Sequence, residues 1–503
     1  LSGKEKTYQA WNGVPEAKLK GDIQGTKDIV AQNNYDVEDS LNLFQSNNRT
    51  YNYFLYENQT DNYQQDHYQL FFNHQYNNQL SFNITGFLTR GRGYYEEYKK
   101  NEELKNYPFP KTVIDTVLFK RSNLIRQLWL DNYFYGNTYA LQYKSATDEI
   151  ALGSSWSKYD GNHYGQIIWA DAPIPHQYKW YNKNADKIDC NVYAKYNRSL
   201  HQNWNAFVDM QYKWIDYIID GFRKNPDIYI HTKYSFFNPK IGIFYADKNG
   251  WSGYASFSKA SKEPNRDDFE TGLIQRPKPE HLYDYELSVE KKYKKANFST
   301  VLYYMYYKDQ LVLNGKLNDV GENTRMNIPK SYRLGLEFQA TTKPIDWFEA
   351  TAHVTWSKNK IKNFTAFVDD YDSGTQKTTY YKNTNISFSP NVIAGFTICF
   401  MPLKYFKIDL MNKYISRQFL DNTSNKAKSL NAYDVQDVRL NYTISTKHCK
   451  TLSIVAQINN IFNTQYESNG WTYSFMSGGK EMINNNYFPM AGTNIMLALH
   501  IDW

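Results

Sequence analysis

The side chains best suited to binding chemistry are aromatic and polar residues that cluster in long segments between predicted strands. Three such segments read RGRGYYEEYKK, SKYDGNHYGQIIWADAP and NGWTYSFMSGG. Aromatic rings can stack on a flat ligand, and neighbouring amide, carboxylate and hydroxyl groups can hydrogen-bond to a polar one. Together with the charged segment described next, they supply the candidate ligand contacts, which are Tyr94, Tyr95, Trp169, Arg266, Asp267, Trp471 and Tyr473. The competing interpretation is that these rings only mark strand ends and that the polar loops simply face water.

Two segments are rich in acidic residues. SKEPNRDDF at residues 261–269 contains Glu263, Arg266, Asp267 and Asp268, which could contact a ligand or pair among themselves to fix the loop. We favour the pairing role. DDYDSG at residues 369–374 has the acid spacing of a partial calcium loop but lacks the later Glu that would complete one. The sequence therefore predicts no metal site here.

Enzyme motifs are missing from the sequence. The ten His residues form no HExxH pattern, and no GxSxG, P-loop or paired-carboxylate motif stands on a plausible scaffold. Cys190, Cys399 and Cys449 are too widely spaced for a zinc site or a disulfide framework. We therefore predict a protein that is not an enzyme and that carries no cofactor or metal.

The elements that must position these segments are strands. From about residue 66 onward, apolar residues fall on alternate positions in about 17 segments, and only a strand puts alternate residues on opposite faces. The chain ends in GTNIMLALHIDW, where Ile495, Leu497, Leu499 and Ile501 share one face. The other face of this strand is smaller and more polar. We therefore predict an all-β protein.

The composition narrows the class of β-protein. Hydrophobic residues make up 41% and mean hydropathy is −0.73, yet aromatics reach 17%, which suits a barrel with a polar interior. No run of about 18 apolar residues occurs, so a transmembrane helix is not predicted. The formal charge of +7 is scattered along the chain rather than clustered, so nucleic-acid binding is not predicted.

The connections between strands alternate in length. Short turns near residues 77–78, 146, 248–250, 343–344 and 403–404 alternate with long links near residues 92–125, 159–184, 263–281, 313–331, 365–388 and 468–490. This layout is typical of an antiparallel transmembrane β-barrel, where lipid covers the apolar face and closure satisfies the backbone. A propeller would show a regular repeat, and a sandwich rarely grows so large. Trp503 would lie at the membrane interface.

Several segments resemble the TonB-dependent outer-membrane receptors of Gram-negative bacteria. They include GKEKTYQAWNGVPEAKLKGD, TRGRGYYEEYK and MYYKDQLVLNGKLNDVGENTR, and the most family-typical is INNIFNTQYESNGWTYS at residues 458–474. The resemblance implies a barrel of 22 strands closed by an N-terminal plug domain, with a TonB box ahead of the plug. We expect this chain to hold about 17 of those strands, with residues 1–65 as an extracellular loop region after a missing strand and residues 66–503 as the barrel. The plug and the TonB box have no counterpart in it.

The resemblance also implies a function. It is uptake of a scarce nutrient (an iron chelate, a corrinoid or an oligosaccharide) through the extracellular loops and the plug, and this chain alone would not transport. The implied partners are outer-membrane lipid, the small nutrient ligand, TonB acting through the plug, and the barrel-assembly machinery, with Trp503 as the assembly signal. The haem-receptor motif Asn-Pro-Asn-Leu is not found after SKEPNRDDF, which argues against a haem ligand. The alternatives are a non-transporting, adhesin-like surface protein that binds glycans or host ligands and, more remotely, a propeller hydrolase.

Overall fold

Antiparallel strands form nearly all the regular structure of the computed structural model, which describes residues 1–110, 114, 118–271, 276–317, 323–444 and 449–502. The strands are, in chain order, β1 (Ser2–Tyr8), β2 (Val14–Pro15), β3 (Thr60–Gln75), β4 (Leu80–Glu103), β5 (Arg121–Lys144), β6 (Asp148–Ala170), β7 (Tyr178–His201), β8 (Trp204–Asp220), β9 (Tyr229–Ala246), β10 (Trp251–Lys262), β11 (Glu280–Lys292), β12 (Ala296–Leu317), β13 (Asn323–Ile345), β14 (Phe348–Asp370), β15 (Thr375–Asn385), β16 (Val392–Leu403), β17 (Phe406–Ile415), β18 (Gln418–Phe419), β19 (Ser429–Leu430), β20 (Tyr433–Ile444), β21 (Thr451–Asn459), β22 (Glu467–Ser477), β23 (Lys480–Pro489) and β24 (Asn494–Asp502). The helices are α1 (Glu16–Lys20), α2 (Ile23–Asn33), α3 (Val37–Gln45) and α4 (Arg266–Thr271), with a 3₁₀ turn at Leu104–Asn106. Trp503, assigned above to the interface and to assembly, lies outside the described residues.

The first of two compact units contains residues 1–11, 52–199 and 207–240. Its antiparallel pairing runs from β1 through β3, β4, β5 and β6 to β7. The ladder between β4 and β5 extends from the pair Leu80 and Tyr143 to the pair Glu103 and Arg121. About 9–11 residues suffice for a strand to cross a bilayer. Strands of 24 residues such as β4 therefore extend well beyond the thickness of a membrane.

The second unit contains residues 12–51, 200–206 and 241–503. Its antiparallel pairing runs in order from β10 to β14 and then through β16, β17, β20 and β21 to β24. The first half of β14 pairs with β16, whereas its second half pairs with β15. β22 and β23 form a separate hairpin, and β22 also meets the end of β14 in parallel. The β14–β15 and β22–β23 hairpins thus lie side by side at the end of this unit that carries the long connections.

The apolar face predicted from alternation is exposed. In β24, Leu497 is 77% exposed, and its neighbour on the same face, Leu499, pairs with exposed Ile454 of β21. In β8, Met210 and Trp214 are exposed on the predicted face. A continuous apolar surface of this kind needs a cover, and lipid supplies one while the strand ladders satisfy the backbone.

The strand number agrees with the prediction. The predicted segments correspond to the strands from β3 to β14 and to β16, β17, β20, β21 and β24, within the described ranges. The remaining strands are short or belong to hairpins in the long connections. Short and long connections alternate as predicted, but several long links are shorter than predicted. β6 continues to Ala170 and β7 begins at Tyr178, within the link predicted at residues 159–184.

One predicted turn was placed too early. The sequence indicated a turn at residues 343–344, but β13 continues to Ile345 and the turn occupies residues 346–347. The pairing shifts register between Thr342 and Ile345. This irregularity accommodates Pro344, because proline has no N–H to donate to a regular ladder.

Residues 1–65 contain more regular structure than a loop. They hold β1, β2 and three helices before β3 begins at Thr60. Two of these helices begin at capping aspartates, because Asp22 accepts a hydrogen bond from the N–H of Gly25 and Asp36 accepts one from the N–H of Asp39, both at 3.0 Å. Such caps satisfy N–H groups that the first helical turn leaves without a partner.

The helices α1 to α3 belong to the second unit, and residues just before and after them contact the β22–β23 hairpin. Leu43 is fully buried in a small core with Val14. Arg49 pairs with Glu467 at 2.7 Å, and the indole N–H of Trp471 donates to the carbonyl of Asn12 at 3.0 Å. Among the described residues, none of the helices combines the length and apolarity that crossing a bilayer requires.

Candidate ligand-binding site

A pocket of about 280 Å³ lies among three hairpins of the second unit, at the end with the long connections. Its walls come from the second half of β14 with β15, from the β22–β23 hairpin, and from the segment between β18 and β19. The side chains that line it include Phe364, Tyr381, Lys428, Thr472, Ser474 and Glu481. A concave site with apolar walls and a few convergent polar groups is the usual form of a small-molecule site.

Lys428 holds the polar side of the pocket together. It is 3% exposed, and its ammonium donates to Glu481 Oε1 at 2.8 Å and to Ser474 Oγ at 2.9 Å, with Asp421 Oδ2 at 3.4 Å. The three N–H groups of the ammonium are thus matched by three acceptors. Partial burial acts to raise the pKa of Glu481, but the hydrogen bond and the positive charge of Lys428 outweigh it and lower that pKa. The carboxyl therefore stays ionised at neutral pH.

Part of the pocket lining is apolar. Phe364 is buried with four aliphatic residues, and Tyr381 packs against this core with its ring centroid 6.3 Å from that of Phe364. Arg325 also lines the pocket, but its guanidinium is held by Asp268, with Nε–Oδ1 at 2.9 Å and Nη2–Oδ2 at 3.1 Å. This two-point contact fixes the arginine side chain and neutralises its charge.

Thr472 brings a hydroxyl whose hydrogen-bonding capacity is unused. The residue is 5% exposed and lines the pocket, and its Oγ1 has no hydrogen-bond partner among the described residues. An unsatisfied buried hydroxyl costs about 1–3 kcal/mol. Rotation of about 120° around χ1 exchanges the hydroxyl with the methyl group, which allows the oxygen to be presented to a ligand.

A hairpin clasp joins the tips of β14–β15 and β22–β23 beside this pocket. We define it as the contacts of Tyr371 and Asp372 with the facing hairpin. The carboxylate of Asp372 accepts hydrogen bonds from the N–H groups of Gly478 at 2.9 Å and Gly479 at 2.8 Å. Both glycines have positive φ, so that consecutive N–H groups can point at one anion. The N–H groups of Gly479 and Gly478 hold the pKa of Asp372 below its usual value.

Aromatic hydroxyls complete the clasp. The hydroxyl of Tyr371 lies 2.9 Å from that of Tyr473, and the hydroxyl of Tyr473 donates to Asp369 Oδ2 at 3.2 Å. The backbones of β14 and β22 meet in parallel at the same place. One wall of the pocket is therefore held in position by contacts between two hairpins that are about 100 residues apart in the chain.

Comparison with known proteins decides the family. Residues 10–461 match the family model described as TonB dependent receptor-like, beta-barrel. The chain belongs to the TonB-dependent receptor family. No curated protein sequence matches it.

Solved structures of the same fold are similar over most of the chain. The structure of the ferric-catecholate import receptor Fiu from K12 E. coli aligns with 99% of this chain and 70% of its own length, at a TM-score of 0.65 and 14% identity. The siderophore receptor PiuA from Acinetobacter baumannii aligns with 88% of this chain and 64% of its own length, at a TM-score of 0.62 and 14% identity. The copper transporter OprC aligns with 86% of this chain and 64% of its own length, at a TM-score of 0.64 and 10% identity. At these identities the likeness establishes the fold alone.

The family and the fold confirm three predictions made from the sequence. The protein is a TonB-dependent receptor, its fold is a transmembrane antiparallel β-barrel, and its location is the outer membrane of a Gram-negative bacterium. In such a receptor the long connections are the extracellular ones. The pocket and the hairpin clasp then lie at the extracellular end of the second unit.

Three of the predicted ligand contacts lie in the first unit. Tyr94 and Tyr95 are consecutive in β4 and point to opposite faces, and Trp169 lies near the end of β6. The ring of Tyr94 contacts that of Trp129 on β5 at 4.6 Å between centroids. Trp169 is 46% exposed. Their role in ligand binding stays a prediction.

The first unit also contains a buried polar network that sequence reasoning missed. Arg126 donates to Glu97 Oε2 at 2.7 Å and to the hydroxyl of Tyr107 at 2.9 Å. Burial raises the pKa of Tyr107 to about 12, so the phenol stays neutral. The segment RGRGYYEEYKK holds Glu97 and was noted for its aromatics, but Arg126 belongs to the next strand and only the β4–β5 register brings it opposite Glu97.

The other four predicted contacts lie in the second unit. Arg266 and Asp267 begin α4, next to Asp268, which binds Arg325. Trp471 and Tyr473 lie on β22, where their side chains contact Asn12 and the clasp, respectively. The pocket is lined instead by the alternate residues of that strand, Thr472, Ser474 and Met476.

The segment DDYDSG acts in contacts within the protein. Its Asp370 accepts a hydrogen bond from the N–H of Asp372, and Asp372 takes part in the clasp. Across the described residues, no three His, Cys, Asp or Glu side chains come together as they would around a metal ion.

Proposed function

We propose that this chain is the barrel portion of a receptor that binds a scarce nutrient at its extracellular end and passes it inward in a TonB-dependent step. The family match over residues 10–461 carries the proposal. The pocket supports it, because a concave site with convergent polar groups lies at the end of the second unit that carries the long connections. The structures named above belong to proteins described as a ferric-catecholate import receptor, a siderophore receptor and a copper transporter.

The proposed ligand is an iron chelate, a corrinoid or an oligosaccharide. It would contact the pocket and the extracellular candidates Tyr94, Tyr95, Trp169, Arg266, Asp267, Trp471 and Tyr473. Binding by shape and hydrogen bonding, without a chemical step, needs no catalytic group. The plug and TonB would supply movement of the ligand, so we expect the barrel portion by itself to bind without transporting.

Uptake by whole cells tests this function. The gene that encodes the full-length receptor is deleted and restored in its host, and cells are supplied with ⁵⁵Fe-labelled chelates, labelled cyanocobalamin or labelled oligosaccharides. We expect one class to accumulate only in restored cells and only while the proton gradient is intact, because a protonophore removes the energy for the TonB-dependent step. Binding to the cell surface without accumulation, unaffected by the protonophore, would instead indicate the adhesin-like alternative.

A further inference from the structure

We infer that the pocket accepts an uncharged, hydroxyl-rich ligand, namely a saccharide unit, in preference to an anionic metal chelate. This inference rests on the proposed function, because it takes the extracellular end to be where the nutrient binds. It goes further by choosing one ligand class from the charges and hydroxyls of the pocket.

Three cations line the pocket, and two of them are held by acids. The third, Lys377, is exposed, and its charge contributes to lowering the pKa of Glu481. Arg325 is bound by Asp268 through two hydrogen bonds, and Lys428 is surrounded by Glu481, Ser474 and Asp421. An anionic chelate bound at Arg325 or Lys428 would have to displace one of these partners or lie beside their carboxylates. Bringing an unmatched charge out of water into such a site is unfavourable, because the lost hydration has no replacement. The ion pairs of the pocket therefore disfavour an anion.

The polar groups that remain are suited to hydroxyls. The side chain of Glu481 is 37% exposed, and an ionised carboxylate with two oxygens can accept a hydrogen bond from a ligand hydroxyl in addition to that from Lys428. Thr472 offers a hydroxyl without a partner among the described residues, and a hydroxyl both donates and accepts. Thr365 and Thr379 line the same space. A ligand with several adjacent hydroxyls satisfies such groups.

The apolar wall fits the same ligand. A sugar ring has an apolar C–H face as well as polar edges, and Phe364 and Tyr381 contribute aromatic rings to the pocket lining. A ring with an apolar face and polar edges binds well at a site that offers it both apolar and polar contacts. The volume of about 280 Å³ is at the small end for ligand pockets, so it holds one end of a longer saccharide rather than the whole of it.

Binding by the full-length receptor in nanodiscs tests the inference. The probes are an array of neutral and acidic glycans, a ferric tris-catecholate and ferric citrate. The variants are T472V, which replaces the hydroxyl by a methyl of similar size, T472S, which keeps it, and T378V. Thr378 is the matched control, because it is exposed on β15 next to pocket-lining Thr379 and points to the other face.

We expect neutral glycans to bind and T472V to weaken that binding about tenfold or more, because both the buried hydroxyl and the ligand hydroxyl lose a partner. T472S and T378V should stay within about twofold of the natural receptor. Binding of a ferric chelate without any neutral glycan overturns the inference, and so does glycan binding that T472V leaves unchanged. The whole-cell uptake experiment separates this inference from the proposed function. Proton-dependent uptake of a ferric chelate would support the receptor function and refute the saccharide ligand. No uptake of any ligand class would refute the receptor function itself.

Discussion

Replacing Lys428 by methionine should loosen the extracellular hairpins without unfolding the barrel. The substitution keeps the side-chain length but leaves Asp421 and Glu481 without the ammonium that lies 3.4 Å and 2.8 Å from them. Removing one partner of a fully buried ion pair costs about 3–5 kcal/mol. Because Glu481 is 37% exposed and water can solvate its carboxylate, we reduce this to about 2–3 kcal/mol. The effect should be confined to the three hairpins that meet at Lys428.

Hydrogen exchange measured by mass spectrometry on the receptor in nanodiscs can detect this change. A loss of about 2–3 kcal/mol in local opening free energy raises exchange roughly 30- to 150-fold in peptides covering β22–β23 and residues 418–430. Lys426→Met is the control, because Lys426 is exposed and only two residues away. Equal exchange in the two variants within about twofold would show that Lys428 does not hold the hairpins, and the reasoning about the buried pair would fail.

Two further perturbations follow from the clasp and from the lipid-facing surface. The clasp should be intact at neutral pH and weaken as the pH falls through the lowered pKa of Asp372. The carboxylate bound by Gly478 and Gly479 stabilises the folded hairpins fully above its usual pKa of 3.8 and loses that contribution on protonation. Distances between spin labels on the two hairpin tips measure the opening, D372N should remove its pH dependence, and an equal opening at neutral and acidic pH in both proteins would contradict the prediction. Leu497→Arg should lower the free energy of unfolding of the barrel in lipid by about 2–4 kcal/mol, as measured by urea titration. Ala498→Arg, on the other face of β24, should lower this free energy by less. Equal losses in the two variants would mean that the face of β24 that carries Leu497 does not contact hydrocarbon.

Sequence periodicity predicted the strands and their faces because both depend on local chemistry. The exposed apolar residues Met210, Trp214, Leu497 and Leu499 lie on the predicted faces, since a strand alternates regardless of its partners. The residues at which strands end were harder to predict. The turn expected at residues 343–344 moved because a register irregularity carried β13 past the proline, and irregular pairing leaves no periodic signal.

The helices before β3 show a different kind of omission. The sequence prediction assigns these residues to a loop, although Asp22 and Asp36 stand where capping residues belong and Gly21 follows α1 with a φ of 70°. The signals were therefore present in the sequence. The helices are short, so the apolar periodicity that marks a helix is weak in this segment.

The pocket could not be predicted from the sequence, because its polar contacts join segments that are distant in the chain. Lys428 and Glu481 are separated by 53 residues, and Asp268 and Arg325 by 57, and neither pair belongs to neighbouring strands of the long ladders. Which segments meet depends on how the extracellular hairpins fold over one another, and no local pattern encodes that. Part of the answer was nevertheless implicit in β22. Selecting Trp471 for its aromatic ring also assigns the next residue to the opposite face, and that face lines the pocket. A sequence reading that treats both faces of each extracellular strand as candidates would therefore have included Thr472, whose hydroxyl is the sharpest test of what this receptor binds.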